Sequence, residues 1–321
     1  LFFQGKWFAG TNPIAVCNPF DGSVVDEVPT ATAEQVQEAI EGATQGAQQM
    51  RSVSGYDRSL FLRKAANLML DQIEDLAETI SLEEGKTLKE SRAETMRAVA
   101  TMELCAEEAK RIAGEVLPLD GASGTAGKMG WTIKVPCGVV AAITPFNYPL
   151  NLVCHKVGPA LAAGNSVIIK PASDTPLTSL KLVEILLEAG CPPLGVACLT
   201  GGGATVGTAL CQDPRIRKIS FTGSQTVGES ICRMAGMKRV TMELGSNSPL
   251  VVLPDADLEK VVSAIAFAGF ANAGQVCISA QRVIVDAAIH DDLIKLLPDR
   301  ISAMRAGNQM EKETDVGPMV R

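Results

Sequence analysis

The chain has 321 residues, 46% of them hydrophobic and 20% charged, with 29 Lys+Arg against 36 Asp+Glu. This is a globular composition, long enough for about two domains and for a core that needs no disulfide staples. The net charge of −7 speaks against nucleic acid or anionic membrane as a partner. Two histidines, His155 and His290, exclude a multi-histidine metal centre, and no apolar stretch approaches the ~20 residues that span a bilayer.

The first residues, Leu1-Phe2-Phe3-Gln4-Gly5, carry no Met and no basic leader. They read as the remnant of a cleavable tag and are left out of the fold expectation. Val36, Ala39, Ile40 and Ala43 predict a helix over 33–50, with Thr30 or Thr32 as its cap. Leu62, Ala65, Ala66, Met69, Ile73, Leu76 and Ile80 predict one helix over 58–84, and a third runs over 86–113. The charged residues of these helices are expected on solvated faces. Residues 121–127 read as a turn and 131–135 alternate like an exposed strand.

Strands and helices then take turns. Strands are predicted at 139–143, 166–170, 196–199, 218–221 and 240–243. The helices between them run to 161, over 177–189 and 204–211, and from 225. That alternation predicts an α/β fold, a doubly wound parallel sheet of Rossmann-like type, which binds ligands at the carboxyl ends of its strands. A second α/β block follows: strand 250–253, helix 258–273, strand 281–286 and helix 287–306. The expected division is a dinucleotide-binding domain over 6–244 and the start of a catalytic domain over 245–321. The chain stops just after the turn Gly317-Pro318, so the second domain is expected to be incomplete.

Nine cysteines stand at 17, 105, 137, 154, 191, 198, 211, 232 and 277, with no C-x-x-C pair. Zinc ribbons and thioredoxin chemistry lack their signature here. Most of these cysteines lie in apolar runs and read as buried hydrophobes of a reducing, cytoplasmic protein. Cys277 differs, because Asn272-Ala273-Gly274-Gln275-Val276-Cys277 places it at a loop opening, where a thiolate can act as a nucleophile.

Other segments carry chemistry more weakly. Gly223-Ser224-Gln225-Thr226-Val227-Gly228 follows a strand and opens a helix, an arrangement that suits a phosphate or a plain turn. Gly201-Gly202-Gly203 is weaker still. Lys170 ends a strand, where it could meet a ribose hydroxyl or solvent. Asn147, in the stiff loop Thr144-Pro145-Phe146-Asn147-Tyr148-Pro149, could donate to an oxyanion or stabilise its own turn. Glu243 closes an apolar strand, and a carboxylate at the end of a buried strand is a candidate general base with a raised pKa. A Cys–His pair would have to use His155 or His290.

From about Asn18 onward, these pieces together resemble the aldehyde dehydrogenase superfamily. The matching motifs are Pro145-Phe146-Asn147-Tyr148-Pro149, Gly158-Pro159-Ala160-Leu161-Ala162-Ala163-Gly164-Asn165, Lys170-Pro171-Ala172, Phe221-Thr222-Gly223-Ser224, Glu243-Leu244-Gly245 and Gly274-Gln275-Val276-Cys277. The resemblance implies Cys277 as nucleophile, Glu243 as general base and Asn147 as part of the oxyanion hole. It implies a nicotinamide cofactor, NAD or NADP, with Lys170 on the adenine ribose and Gly223-Ser224 on the pyrophosphate. The implied cofactor set further includes Thr144, Pro145, Phe146, Ser173, Gly203, Gly207, Phe221, Thr222, Val227, Leu244 and Gly245.

The implied reaction oxidises an aldehyde to a carboxylic acid through a cysteine thiohemiacetal and thioester. The partners implied are a small aldehyde and further copies of the chain, as a homodimer or homotetramer, joined through a hairpin near 121–136. Ser173 stands where NAD-dependent members often carry a Glu, which leaves room for NADP. Gly245-Ser246-Asn247-Ser248-Pro249 replaces the commoner glycine-glycine-lysine form, with no consequence for chemistry expected. The family's remaining catalytic segment, with its Glu-x-Phe-Gly motif, is not in the sequence. Two alternatives stay open: a CoA-acylating member, which often lacks the Glu243 base, and an inactive cofactor-binding relative, which the intact Asn147, Glu243 and Cys277 argue against.

Overall fold

A computed structural model describes residues 1–320. The chain opens with two short strands, β1 (Phe2–Phe3) and β2 (Lys6–Trp7), then a hairpin of β3 (Thr11–Cys17) and β4 (Val24–Thr30). Helices α1 (Ala33–Ser52), α2 (Gly55–Asp71), α3 (Ile73–Glu84) and α4 (Leu88–Glu108) follow. Thr32 caps α1 in a reciprocal box: Gln35 N donates to Thr32 Oγ1 at 3.2 Å, and Thr32 N donates to Gln35 Oε1 at 3.0 Å.

The helix expected over 58–84 is two helices. Gln72, at φ −106° and ψ 22°, breaks it, so that α2 packs on α4 and on the later helices over 151–162 and 177–189, while α3 turns to meet α4 and the helix over 177–189. The local apolar spacing runs straight through this break, and only the packing partners require it. A short ribbon pairs β5 (Val116–Leu117) with β6 (Gly130–Trp131). Of the strand expected over 131–135 only Trp131 is paired as a strand, because the facing chain gives out at Glu115; Ile133 and Val135 are exposed.

The central sheet comes next in chain order: β7 (Val139–Ile143), α5 (Asn151–Ala162), β8 (Ser166–Lys170), α6 (Leu177–Ala189) and β9 (Val196–Cys198). A wide π-type turn over Gly203–Gly207 leads into α7 (Thr208–Gln212), then β10 (Ile216–Gly223), α8 (Gln225–Ala235) and β11 (Arg239–Leu244). The strand order is β11-β10-β7-β8-β9-β1-β2, parallel from β11 to β9. Alternate residues of the strands enter two cores. Val140, Ala142, Val167 and Ile169 meet α2 to α6, whereas Val139, Ala141, Ile143 and Ile168 meet α1, α7 and α8. This is the doubly wound arrangement, with both faces of the parallel sheet covered.

The opening residues correct the tag reading. Phe2 pairs antiparallel with Cys198 of β9, and Leu1, Phe2 and Phe3 are buried. The Phe3 ring stacks on Phe8 at 4.0 Å. These residues therefore extend the sheet and fill its core.

After Leu244 the hydrogen bonding passes to a separate two-stranded parallel sheet, β12 (Ser248–Val252) with β13 (Ala280–Val285). It carries α9 (Leu258–Phe270) and α10 (His290–Ser302), around a small core of Val262, Ile265 and Leu293. Helix α9 stops at Phe270, short of the expected 273, because Asn272 and Ala273 take left-handed backbone angles (φ 50° and 54°). Likewise α10 is shorter at both ends than the expected 287–306.

Candidate active site

All the residues singled out for a cofactor lie on one line, the carboxyl edge of the central sheet. Thr144, Pro145 and Phe146 leave β7, while Lys170 and Ser173 leave β8. Gly203 and Gly207 bound the π-type turn after β9. Phe221, Thr222, Gly223, Ser224 and Val227 end β10 and open α8, and Leu244 and Gly245 end β11. The register enforces this alignment, because Ile143 pairs with Lys170 and with Phe221, and Gly223 pairs with Leu244.

Several of these groups want a ligand. Thr144 Oγ1 is buried without a hydrogen-bond partner. Lys170 is buried, and desolvation lowers its ammonium to about 8; it donates to the Pro171 carbonyl at 2.8 Å. At Gly223 a Cβ would stand 2.5 Å from the Phe221 ring, so any side chain there would have to displace that ring. Ser224 caps α8, accepting from Val227 N at 3.4 Å, and the helix starts toward this edge. A buried hydroxyl and a buried ammonium beside a glycine turn and a helix N-terminus fit the ribose and phosphates of a dinucleotide. Ser173 Oγ donates to the Gly201 carbonyl at 3.3 Å, and no carboxylate occupies its position.

The proposed catalytic residues sit on three segments. Asn147 and the Cys277 loop, 128 residues apart at their contact, are joined: Asn147 Nδ2 donates to the Gln275 carbonyl at 2.8 Å. Cys277 is exposed, and its backbone N–H has no acceptor among the described residues. The Cys277 carbonyl accepts from Ser246 Oγ at 2.5 Å. The serine of the Gly245–Pro249 variation thus ties that segment to the cysteine loop.

Glu243 departs from expectation. Strand β11 is largely exposed in this chain rather than buried, and Glu243 with it, so the burial expected of this carboxylate is missing here. Glu243 and Cys277 share no hydrogen bond among the described residues. Glu243 instead faces two groups on α5, Lys156 and His155. Burial lowers Lys156 to about 8; its ammonium donates to Thr222 Oγ1 at 2.6 Å, and Glu243 partly offsets the shift. Burial, then Arg97 and Lys156, also lower His155. Neither histidine touches Cys277, and His290 pairs with Asp291 at 2.9 Å on α10. All nine cysteines are free. Burial raises Cys105 and Cys211 to about 11 and Cys191 and Cys198 to about 12, while Cys17, Cys232 and Cys277 are exposed.

A buried charged network beneath Asn147 escaped the sequence reading, which placed these charges on solvated faces. Glu83, Glu84, Lys86 and Glu94 are each no more than 2% exposed. Glu83 holds the start of α6, accepting from Leu177 N at 2.7 Å and Thr178 N at 3.1 Å. Lys86 Nζ donates to Glu94 Oε2 and to the Asn147 carbonyl, both at 2.6 Å, with its ammonium 3.9 Å from the centre of the Tyr148 ring. One signal was present: Glu94 shares a helical face with the apolar Ala98 and Met102.

A cavity of about 1220 Å³ lies elsewhere, between α5 and residues 133–137. It reaches Lys156 but not Asn147 or Cys277. Among the described residues, no helix is long and apolar enough to cross a membrane.

The fold and this edge are those of a dehydrogenase family. The Aldehyde dehydrogenase family model matches residues 7–321, and the chain belongs to that family. It is 45% identical over its whole length to the 3-sulfolactaldehyde dehydrogenase of Priestia megaterium, covering 67% of that protein. It is 37% identical over 99% of its length to an NADP(+) succinate-semialdehyde dehydrogenase of Escherichia coli, covering 66% of it. A solved NADP-dependent enzyme of E. coli superposes with a TM-score of 0.96 at 36% identity, over 99% of this chain and 66% of that one. The chain thus spans about two thirds of the length of the relatives it matches.

Proposed function

We propose that the protein oxidises an aldehyde to a carboxylic acid with NAD or NADP as acceptor. The observation that carries this is the bond from the Asn147 amide to the Gln275 carbonyl, which sets a side-chain donor beside an exposed cysteine whose own N–H is free. Cys277 Sγ attacks the aldehyde carbon. The Asn147 amide and the Cys277 N–H take up the charge that develops on oxygen. Lys170, Thr144, Gly223 and Ser224 hold the dinucleotide, whose nicotinamide, when bound, accepts a hydride. Glu243 then takes a proton from the water that attacks the thioester on Sγ, and the acid departs. An exposed carboxylate near the Lys156 ammonium is available for that proton without first being freed from a hydrogen bond. Hydrolysis is favoured over transfer to CoA because Glu243 supplies a base that acylating members often lack.

The test is a Glu243→Gln variant mixed rapidly with cofactor and aldehyde. A burst of reduced cofactor, slow turnover and an acyl adduct on the Cys277 peptide are expected. Wild-type steady turnover would remove Glu243 from its role.

Four further readings belong to this proposal. Relatives are named for acid-bearing aldehydes, and Arg97, which makes no ion pair among the described residues, lies 5.8 Å from the Tyr148 ring next to Asn147. We extend the substrate class to aldehydes with an anionic tail, for which Arg97→Met should raise KM more than for a neutral aldehyde. The exposed apolar side chains of Val116, Met129, Trp131, Ile133 and Val135 support the 121–136 hairpin as a surface for a second copy, in a homodimer or homotetramer. The division of the chain into cofactor and catalytic domains falls at Leu244 to Gly245, and nine free thiols support a reducing, cytoplasmic setting.

A further inference from the structure

The network under Asn147 joins three segments distant in sequence. The Asn147 carbonyl accepts two bonds, from Lys86 Nζ at 2.6 Å and from Asn272 Nδ2 at 3.2 Å. Asn272 Nδ2 also donates to Glu84 Oε1 at 2.8 Å, while its backbone N donates to Glu90 Oε1 at 2.8 Å. Glu84 Oε2 accepts from Lys86 N at 3.0 Å. Glu94 completes the set: one oxygen holds the Lys86 ammonium, and the other accepts from Leu150 N at 2.9 Å and Asn151 N at 3.0 Å, at the start of α5. Gly85, at φ 93°, makes the turn between Glu84 and Lys86 possible; a Cβ there would lie 3.0 Å from the Pro318 carbonyl.

Such a set of buried charges is a poor device for stability, because desolvation offsets most of the attraction. It does fix geometry. Asn272 and Ala273 both sit in the left-handed region, which costs an alanine about 1 kcal/mol or more. Strain of this kind persists only where surrounding contacts impose it. Here those contacts are the bonds from Asn272 to Glu84, Glu90 and Asn147, and the strained pair stands four to five residues before Cys277.

We propose that Glu84, Lys86 and Asn272 form a positioning clasp that locks the cysteine loop onto the Asn147 loop, so that the Asn147 amide and the Cys277 N–H converge on one oxygen. The kinetic part of this rests on the aldehyde-oxidising reading; the structural part does not. All three residues are buried. They act through Asn147 and the loop 271–277, so the clasp governs kcat and leaves cofactor binding alone.

Asn272→Gly is the sharpest variant. Glycine accepts the left-handed backbone, so the change removes the amide contacts without adding strain. We expect kcat to fall about 10²-fold, in line with a lost oxyanion donor, with KM and cofactor Kd within about twofold of wild type. Amide hydrogen exchange of 271–277 should quicken while that of β7 and β8 stays unchanged. Glu84→Gln keeps an acceptor for Asn272 and should hold kcat within about threefold, whereas Glu84→Leu should match Asn272→Gly. Lys86→Met should do the same if it folds. Wild-type kcat and wild-type loop exchange in Asn272→Gly would overturn the clasp, as would equal losses of cofactor affinity and melting temperature in every variant. A wild type that oxidises no aldehyde would instead sink the activity reading, and loop exchange would then decide the clasp alone.

Discussion

The two parts of the chain differ in how they hold themselves together. Up to Leu244, strands β7, β8 and β9 are buried on every residue between two helix layers with extensive cores. Beyond it, the fully buried cluster is Val262, Ile265 and Leu293, while Val251, Leu253 and Ile284 on the small sheet are at least half exposed. Yet Cys277, the residue with the sharpest chemical signal, belongs to the second part. Its loop is held largely by hydrogen bonds to Glu84, Glu90 and Asn147, all in the first part. The cysteine loop is thus held by the first part, while the second part, in a chain that spans about two thirds of its relatives' length, carries little core of its own.

That contrast can be broken or sharpened in several ways. Cys277→Ser replaces the sulfur nucleophile with a weaker hydroxyl one. It should cut aldehyde oxidation by roughly 10⁴-fold or more with the melting temperature unchanged; residual turnover within tenfold of wild type would return the nucleophile's role to Cys17 or Cys232. For the cores, Ile168→Ala in β8 should cost about 2–5 kcal/mol in urea unfolding, and Ile265→Ala in α9 visibly less, because a loosely walled site collapses more easily. Equal losses would mean that the site around Ile265 is walled as tightly as that around Ile168. Asn147→Ala should lower kcat about 10²–10³-fold.

At the cofactor edge, NADP should bind within about tenfold of NAD, a gap of no more than ~1.4 kcal/mol. Ser173→Glu should weaken NADP selectively, by setting a carboxylate against the 2′-phosphate. Fluorescence titration of both cofactors checks this, and an unchanged ratio would place Ser173 away from the ribose. The smallest effect is on pH dependence. Burial raises Glu84 to about 8 and Glu83 to about 7, so the folded state holds protons that the unfolded chain, at the ordinary 4.5, has released. Their contribution to stability is complete below that ordinary value and is lost as pH rises through 7 to 8. Thermal melts from about pH 5 to about pH 9 should decline less steeply for Glu84→Gln than for wild type; parallel curves would show Glu84 ionised in the fold.

The sequence by itself determined the alternation of strand and helix from Val139 to Leu244, because buried parallel strands are continuous apolar runs and their helices carry apolar stripes. It also determined which loops carry chemistry, since glycine turns, a stiff proline loop and a cysteine outside any apolar run are local features. Tertiary structure decided the rest. The break at Gln72, the burial of Leu1 to Phe3 and the exposure of Glu243 all depend on what lies opposite each residue in space. The buried Glu84, Lys86 and Glu94 are the clearest case. A charge in a helical pattern reads as solvated until its partner is known, and here the partners come from positions 147 to 151 and 272. Hydrogen bonds between segments so far apart leave no periodic trace in the chain; only the packing that brings those segments together makes burying such charges possible.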